Sequence, residues 1–283
     1  MDIKSLAEQY NDYIIDRRRY YHTCPELSGE EKNTRAHLKE DLEALGITDI
    51  HEMETCYGLT ATIHGGKPGK TVALRADIDA LPVKEETGLP FASHNEGKMH
   101  ACGHDNHMAM LLGAAKILNE VKDELSGDVR LVFQPAEETA VGALRMMEEH
   151  ALDGVNAIYG VHVWGTYDAP GIAFPAGNLM ACCHGFTIEV EGKSAHASAP
   201  HEGVDAVMVA SAILQSIQQL VSRMNDPLNP LVITVGKVTA GNRWTATPRW
   251  RAPCVPSSPA RRWRTRCVRW PSAPLQPSAP RRP

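Results

Sequence analysis

Between residues 59 and 164, short apolar runs alternate with amphipathic stretches, and three of those runs end on acids or a histidine. "LTATIHG" (59–65), "KTVALRADIDALP" (70–82), "DVRLVFQPAEE" (128–138) and "NAIYGVHVW" (156–164) have the length and β-branched content of strands. "DNHMAMLLGAAKILNEV" (105–121), with Asp105 at its head, and "ETAVGALRMMEEH" (138–150) read as helices. This rhythm predicts an α/β domain over residues 1–183, with a mostly parallel sheet and helices on both faces. Upstream, residues 3–20 read as an amphipathic helix. A second helix follows "PELSGEE", with Ser28 as its N-cap and Gly46 as its stop.

From residue 184 the pattern changes. "GFTIEVEGKSAHAS" (185–198) and "PLVITVGKVTAG" (230–241) look like strands flanking a long helix at about 203–222, so 184–247 reads as a separate small α+β unit. Residues 248–283 differ in kind, holding nine Arg, nine Pro, three of the five Trp and no acid. Half of that segment is Pro or Arg, which supports neither a helix nor a central strand. It is expected to be disordered. We read it as sequence that has left its evolved frame near residue 245, with a genuine basic Pro-rich arm as the alternative.

The net charge of −5 conceals this tail: without its nine Arg, residues 1–247 carry −14. An acidic body argues against nucleic acid as a ligand. No run approaches the roughly 18 apolar residues of a membrane span. "MDIKSLAEQYNDYIIDRRRYYH" lacks the apolar stretch of a signal peptide. The seven cysteines (24, 56, 102, 182, 183, 254 and 267) are odd in number and irregularly spaced, which points to reduced thiols in a cytoplasm.

"HACGHD" (100–105), "PAEE" (135–138) and "GVHVW" (160–164) lie at or just beyond strand ends, where open α/β sheets bind ligands. Cys102 and His104, two apart, can approach one metal from an extended turn. Thiolate, imidazole and carboxylate together suit Zn²⁺ or Mn²⁺, and also Co²⁺ or Ni²⁺, rather than Mg²⁺ or Ca²⁺. On a strand, Glu137 and Glu138 would point opposite ways, one toward metal and one toward substrate as a base. His162 is a further candidate imidazole. Asp77 and Asp79 end an apolar strand and are expected to orient ligands. His107 is assigned a supporting role. His22, His37, His51, His64, His94, His150, His184 and His201 are read as ordinary packed or solvated histidines.

"RADIDALP", "MHACGHDNHMAMLLGAAKIL", "FQPAEE", "GVHVW" and "GKSAHASAPHEGVDAV", in this order and spacing, resemble the M20 metallopeptidase family. The nearest subgroup contains hippurate hydrolase, N-acyl-amino-acid amidohydrolases and auxin-conjugate hydrolases. The resemblance covers about residues 5–244. It implies a zinc-peptidase-like catalytic domain with a lid, or dimerisation, domain from about 184. Cys102, His104, Glu138 and His162 would be ligands of a centre of two divalent metals, and Glu137 the general base. Asp79 matches the acid behind the ligands, and Asp105 is expected to act beside it. His196 matches the lid histidine that reaches the partner subunit's active site and steadies the oxyanion.

The implied activity is hydrolysis of an N-acyl amino acid to a carboxylate and a free amino acid, by a homodimer or homotetramer joined through the lid. The alternatives are an N-acetyl-diaminopimelate deacetylase, a carboxypeptidase-like enzyme, or an inactive fragment. Thr245 stands where the family has Asn, and no histidine follows His201 to match the family's last metal-binding histidine.

Overall fold

The structure, a computed structural model, describes residues 2–165, 171–174 and 185–240. The expectations for residues 241–283, including Thr245 and the Arg/Pro-rich tail, lie outside those residues, as do Cys182, Cys183 and His184.

The chain opens with two helices. Helix α1 (Ile3–Gln9) is capped by Asp2, whose carboxylate accepts from the Ser5 amide at 3.2 Å, and α2 spans Asn11–Thr23. The single helix expected over 3–20 is thus broken at Tyr10. Helix α3 (Lys32–Ala44) ends where Gly46 takes a positive φ of 79°. Its N-cap is Glu31, not Ser28. The Ser28 hydroxyl donates instead to Asp79 Oδ2 at 2.6 Å. A polar side chain near a helix start caps only when no buried acceptor competes for it.

Five strands form one sheet in the order β1-β2-β4-β3-β5: β1 (Ile50–Glu52), β2 (Leu59–Ile63), β3 (Thr71–Asp77), β4 (Val129–Gln134) and β5 (Val155–Gly160). Strands β3, β4 and β5 are mutually parallel, while β2 is antiparallel to both β4 and β1. Four of the five strands therefore run the same way, as the βαβ rhythm predicts. Strand β1 is too short for its pattern to show in sequence.

Helix α4 (His104–Glu120) crosses from β3 to β4 and packs on α2 and on the sheet. Alternation along β4 places Leu131 and Phe133 on the α2–α3–α4 side, with Leu38, Leu42, Met108 and Leu112. Val132 points the other way, to Met53, Ala73 and Met146 of α5 (Gly142–Glu148). Burying one large aliphatic or aromatic side chain contributes about 1.5–3 kcal/mol, so these two layers set the sheet's register.

Among the described residues β5 is one edge of the sheet, with Ile158 and Tyr159 exposed.

In residues 185–240, α6 (Ala206–Gln219) is capped by Asp205, whose carboxylate accepts from the Val207 and Met208 amides at 2.9 and 3.2 Å. The two flanking segments expected as strands form no ladder among the described residues; Lys193 makes an isolated bridge with Val204. The alternation itself survives, since Phe186, Ile188, Val190 and Val235 line an apolar cleft with Ala210, Ile213, Leu214 and Ile217 of α6. A period of two specifies a buried face, which one helix can satisfy. A ladder also requires a neighbouring strand.

Candidate metal centre

Register brings the candidate residues together. Asp77 pairs with Gln134, and Arg75 with Gly160, so β3, β4 and β5 end nearly level on one rim of the sheet. Asp79, Glu137 and Glu138, and His162 each follow one of those ends by a few residues. His104 and Cys102 arrive on the same rim from the head of α4. That helix starts after Gly103, which has a φ of 92°; a Cβ there would come within 2.4 Å of Val163 Cγ2. Glycine thus supplies both the left-handed turn and the close approach to the His162 loop.

Donor atoms converge in three overlapping sets, each within 4.8 Å: Cys102, His104 and His162; His104, Glu137 and Glu138; Asp77, His104 and His107. Cys102 Sγ is 3.5 Å from His162 Nε2. His104 Nε2 lies 3.9 Å from Glu137 Oε2 and 3.9 Å from Glu138 Oε1. On its other side, His104 Nδ1 sits 2.8 Å from the Asp79 carbonyl oxygen and 3.2 Å from Asp79 Oδ1. With Nδ1 held by that partner, Nε2 faces the cluster and would offer its lone pair once a metal displaces the proton. His104 Nε2 and Glu138 Oε1 are buried without a hydrogen-bond partner. Buried polar atoms are rarely left so, and a cation between them would satisfy both. The donor set fits a divalent transition metal.

Glu137 and Glu138 do not diverge as a strand would make them. Strand β4 stops at Gln134 and the two acids occupy a turn, so both carboxylates reach toward His104. His162 likewise sits two residues past the end of β5, exposed, rather than on the strand.

The field at the centre is negative. Burial disfavours charge on His104, but Asp79, the Cys102 thiol and Asp77 outweigh it and push the imidazole up to about 11. Surroundings that hold a proton so strongly also favour a metal cation. Burial, followed by Asp77 and Glu138, raises the Glu137 carboxyl above the ordinary carboxylate range. Asp79 is held below that range: burial opposes its charge, but hydrogen bonds from His104, Ser28 and the Glu138 amide prevail.

Residues 73–255 match the profile of Peptidase family M20/M25/M40. The chain belongs to that family. Among relatives of this M20 chain, N-acetyl-L-cysteine deacetylase of Bacillus subtilis is 44% identical over 255 residues, covering 87% of this chain and 61% of the relative. Thermostable carboxypeptidase 1 of Saccharolobus solfataricus is 43% identical over 247 residues, covering 85% and 62%. A crystal structure of a Bacillus subtilis protein, described as a dinuclear metal binding peptidase from the M20 family, superposes with a TM-score of 0.65. It is 36% identical and covers 86% of this chain and 62% of its own. The M20 chain thus spans about three fifths of the length of these relatives.

Other predicted residues of the M20 chain have different partners. Asp105 turns away from the cluster: its Oδ2 is 2.8 Å from His22 Nδ1 and 2.9 Å from Arg18 Nε, tying α4 to α2. His107 Nε2 accepts from the Val163 amide at 3.1 Å while its Nδ1 is 3.4 Å from Asp77 Oδ2, so it steadies the His162 loop. His196 is exposed, with its Nδ1 2.8 Å from Ser198 Oγ, and belongs to none of the three donor sets. Sequence reading missed His22, which is buried between Asp105 and Glu85. A signal was present, since Arg18 and His22 are four apart on α2 and share a face.

Proposed function

We propose that this M20 chain is built for metal-dependent hydrolysis of the amide bond of N-acyl amino acids, N-acetyl or N-aroyl, giving a carboxylate and a free amino acid. The observation that carries this is the convergence of Cys102, His104 and His162, and of His104, Glu137 and Glu138, on one rim within 4.8 Å. Cys102, His104, Glu138 and His162 would hold two divalent ions, Zn²⁺ or Mn²⁺ in our reading and Co²⁺ or Ni²⁺ by the same donor chemistry. When bound, such ions lower the pKa of a water and polarise a carbonyl oxygen. Glu137, half-buried at the turn, accepts the water's proton as the water oxygen adds to the amide carbon. It then returns the proton to the leaving nitrogen as the C–N bond breaks. Asp79 fixes the tautomer of His104, and its bond to the Glu138 amide ties the acid-bearing turn to the same rim.

The deacetylase named among the relatives supports an N-acyl amino acid substrate. The carboxypeptidase supports the alternative, cleavage next to a peptide C-terminus. Assembly would use residues 184–247 as a lid or dimerisation unit. Exposed Met208 and Met224 offer apolar surface there, and His196 would reach a partner's site to steady the oxyanion. The free thiols of Cys24, Cys56 and Cys102 suit a cytoplasmic setting.

The test loads the protein with Zn²⁺ or Mn²⁺ and measures release of free amino acid from N-acetylcysteine, hippurate and a dipeptide. Turnover of the acylated amino acids above the dipeptide is expected. Metal-independent turnover would sink the proposal, and preference for the dipeptide would replace it with the carboxypeptidase reading.

A further inference from the structure

The turn that carries both glutamates rests on an unfavourable backbone. Ala136, next to Glu137, has a φ of 50°, a left-handed conformation that an alanine adopts only when its surroundings impose it. One side chain is aimed at that residue from a distant part of the chain. Glu31, completely buried at the head of α3, accepts the Ala136 amide on Oε1 at 2.8 Å. Among the described residues its other oxygen, Oε2, has no hydrogen-bond partner and Glu31 enters no ion pair that would explain its burial. A carboxylate hidden from water at this cost, whose backbone hydrogen bonds include the strained amide two residues before a candidate ligand, calls for a reason.

A second contact acts in parallel. The Ser28 hydroxyl and the Glu138 amide both donate to Asp79 Oδ2, at 2.6 and 3.0 Å. The "SGEE" segment therefore grips the acid-bearing turn at two points, Ala136 directly and Glu138 through Asp79.

We propose that Glu31 is a positioning residue: its carboxylate holds the left-handed Ala136 amide and so aims Glu137 and Glu138 at His104. It touches neither substrate nor metal and acts through the backbone. The proposal rests on the metal reading above only for the second of its two measurements.

The first measurement is amide hydrogen exchange by NMR on the whole metal-free chain. In Glu31→Met the Ala136 amide exchanges about ten-fold faster or more, while Leu131 and Phe133 in β4 keep their wild-type rates. Glu31→Gln, which retains an acceptor oxygen of the same reach, keeps Ala136 slow. Should Glu31→Met fail to fold, Glu31→Asp, whose carboxylate is one methylene shorter, gives the same local acceleration. An unchanged Ala136 rate in a folded variant overturns the proposal. Uniform acceleration through β4 overturns it too, by making Glu31 an ordinary core residue.

The second measurement titrates Co²⁺, followed by the absorption of a cobalt–thiolate bond to Cys102. Glu31→Met weakens binding about 10–100-fold, the usual effect of losing a group behind the ligands, and Glu31→Gln recovers most of it. Equal affinity in all three proteins overturns the aiming role. A wild-type protein that binds no cobalt, yet shows the local exchange pattern, counts against the metal reading and leaves the Glu31 brace standing.

Discussion

A carboxylate and a carboxamide have nearly the same shape, so Glu137→Gln separates the proton's contribution from that of packing. The variant should keep its metal content and lose about two to four orders of magnitude in turnover of an N-acyl amino acid, the usual share of a placed acid–base group. A drop in bound metal comparable to the drop in rate would make Glu137 a ligand instead. His22 supports a second residue-level expectation, on stability. Its hydrogen bond to Asp105 comes first among the causes that raise its pKa above 6.5, burial opposing and Glu85 assisting. An imidazole raised in the folded state contributes stability that is fully present below pH 6.5 and lost as pH climbs through the raised value. The groups facing it are Asp105 and Glu85, with Arg18 beside Asp105 and the Phe91 ring against its edge. Urea unfolding of His22→Gln should show a deficit of about 1.5–3 kcal/mol at pH 5, as for a bond to a charged group, narrowing toward pH 9. A deficit that grows with pH would mean the ring is neutral in the fold.

Elements place these residues, and one contact between elements is tight enough to test. A Cβ on Gly142, the first residue of α5, would fall 1.6 Å from the Pro135 carbonyl oxygen. Gly142→Ala must therefore push α5 away from the turn that carries Glu137 and Glu138. We expect about 1–3 kcal/mol of destabilisation by thermal unfolding, as in other overpacked sites, together with weakened metal binding. Full metal affinity would show that the turn holds its shape without α5. The same turn shows where sequence reading ends. Strands β2, β3 and β4, helix α4 and the helix stop at Gly46 were readable because hydrophobic period and glycine are local signals. The candidate donors were readable because thiol, imidazole and carboxylate crowd a few strand ends. The convergence of Glu137 and Glu138 was not readable, since it depends on β4 stopping at Gln134 and on Ala136 turning left-handed. Nor was the ladder-free packing of 185–190 and 231–240, where alternation fits a strand and a helix-backed extended segment equally. Ser28 and Glu31 failed as local signals because their partners, Asp79 and Ala136, are 51 and 105 residues away.

At the scale of the whole molecule, among the described residues the parallel sheet ends on β5. Strand β5 carries exposed Ile158 and Tyr159, with exposed Val161 just beyond, and such edges pair readily with other extended chains. Ile158→Lys should lower light scattering at elevated protein concentration while leaving the far-ultraviolet dichroism unchanged. Unaltered scattering would place self-association elsewhere, with the apolar surface around α6 the next region to examine. The 105-residue separation between Glu31 and Ala136 also has a consequence for synthesis. At about 5–20 residues per second, the ribosome needs roughly 5–20 s to deliver Ala136 after Glu31 has emerged. Through that interval the carboxylate at the head of α3 lacks the Ala136 amide and stays open to water. The α3 layer cannot close over the sheet until β4 has been made and threaded between β2 and β3. For those seconds the nascent chain presents an unfinished apolar surface.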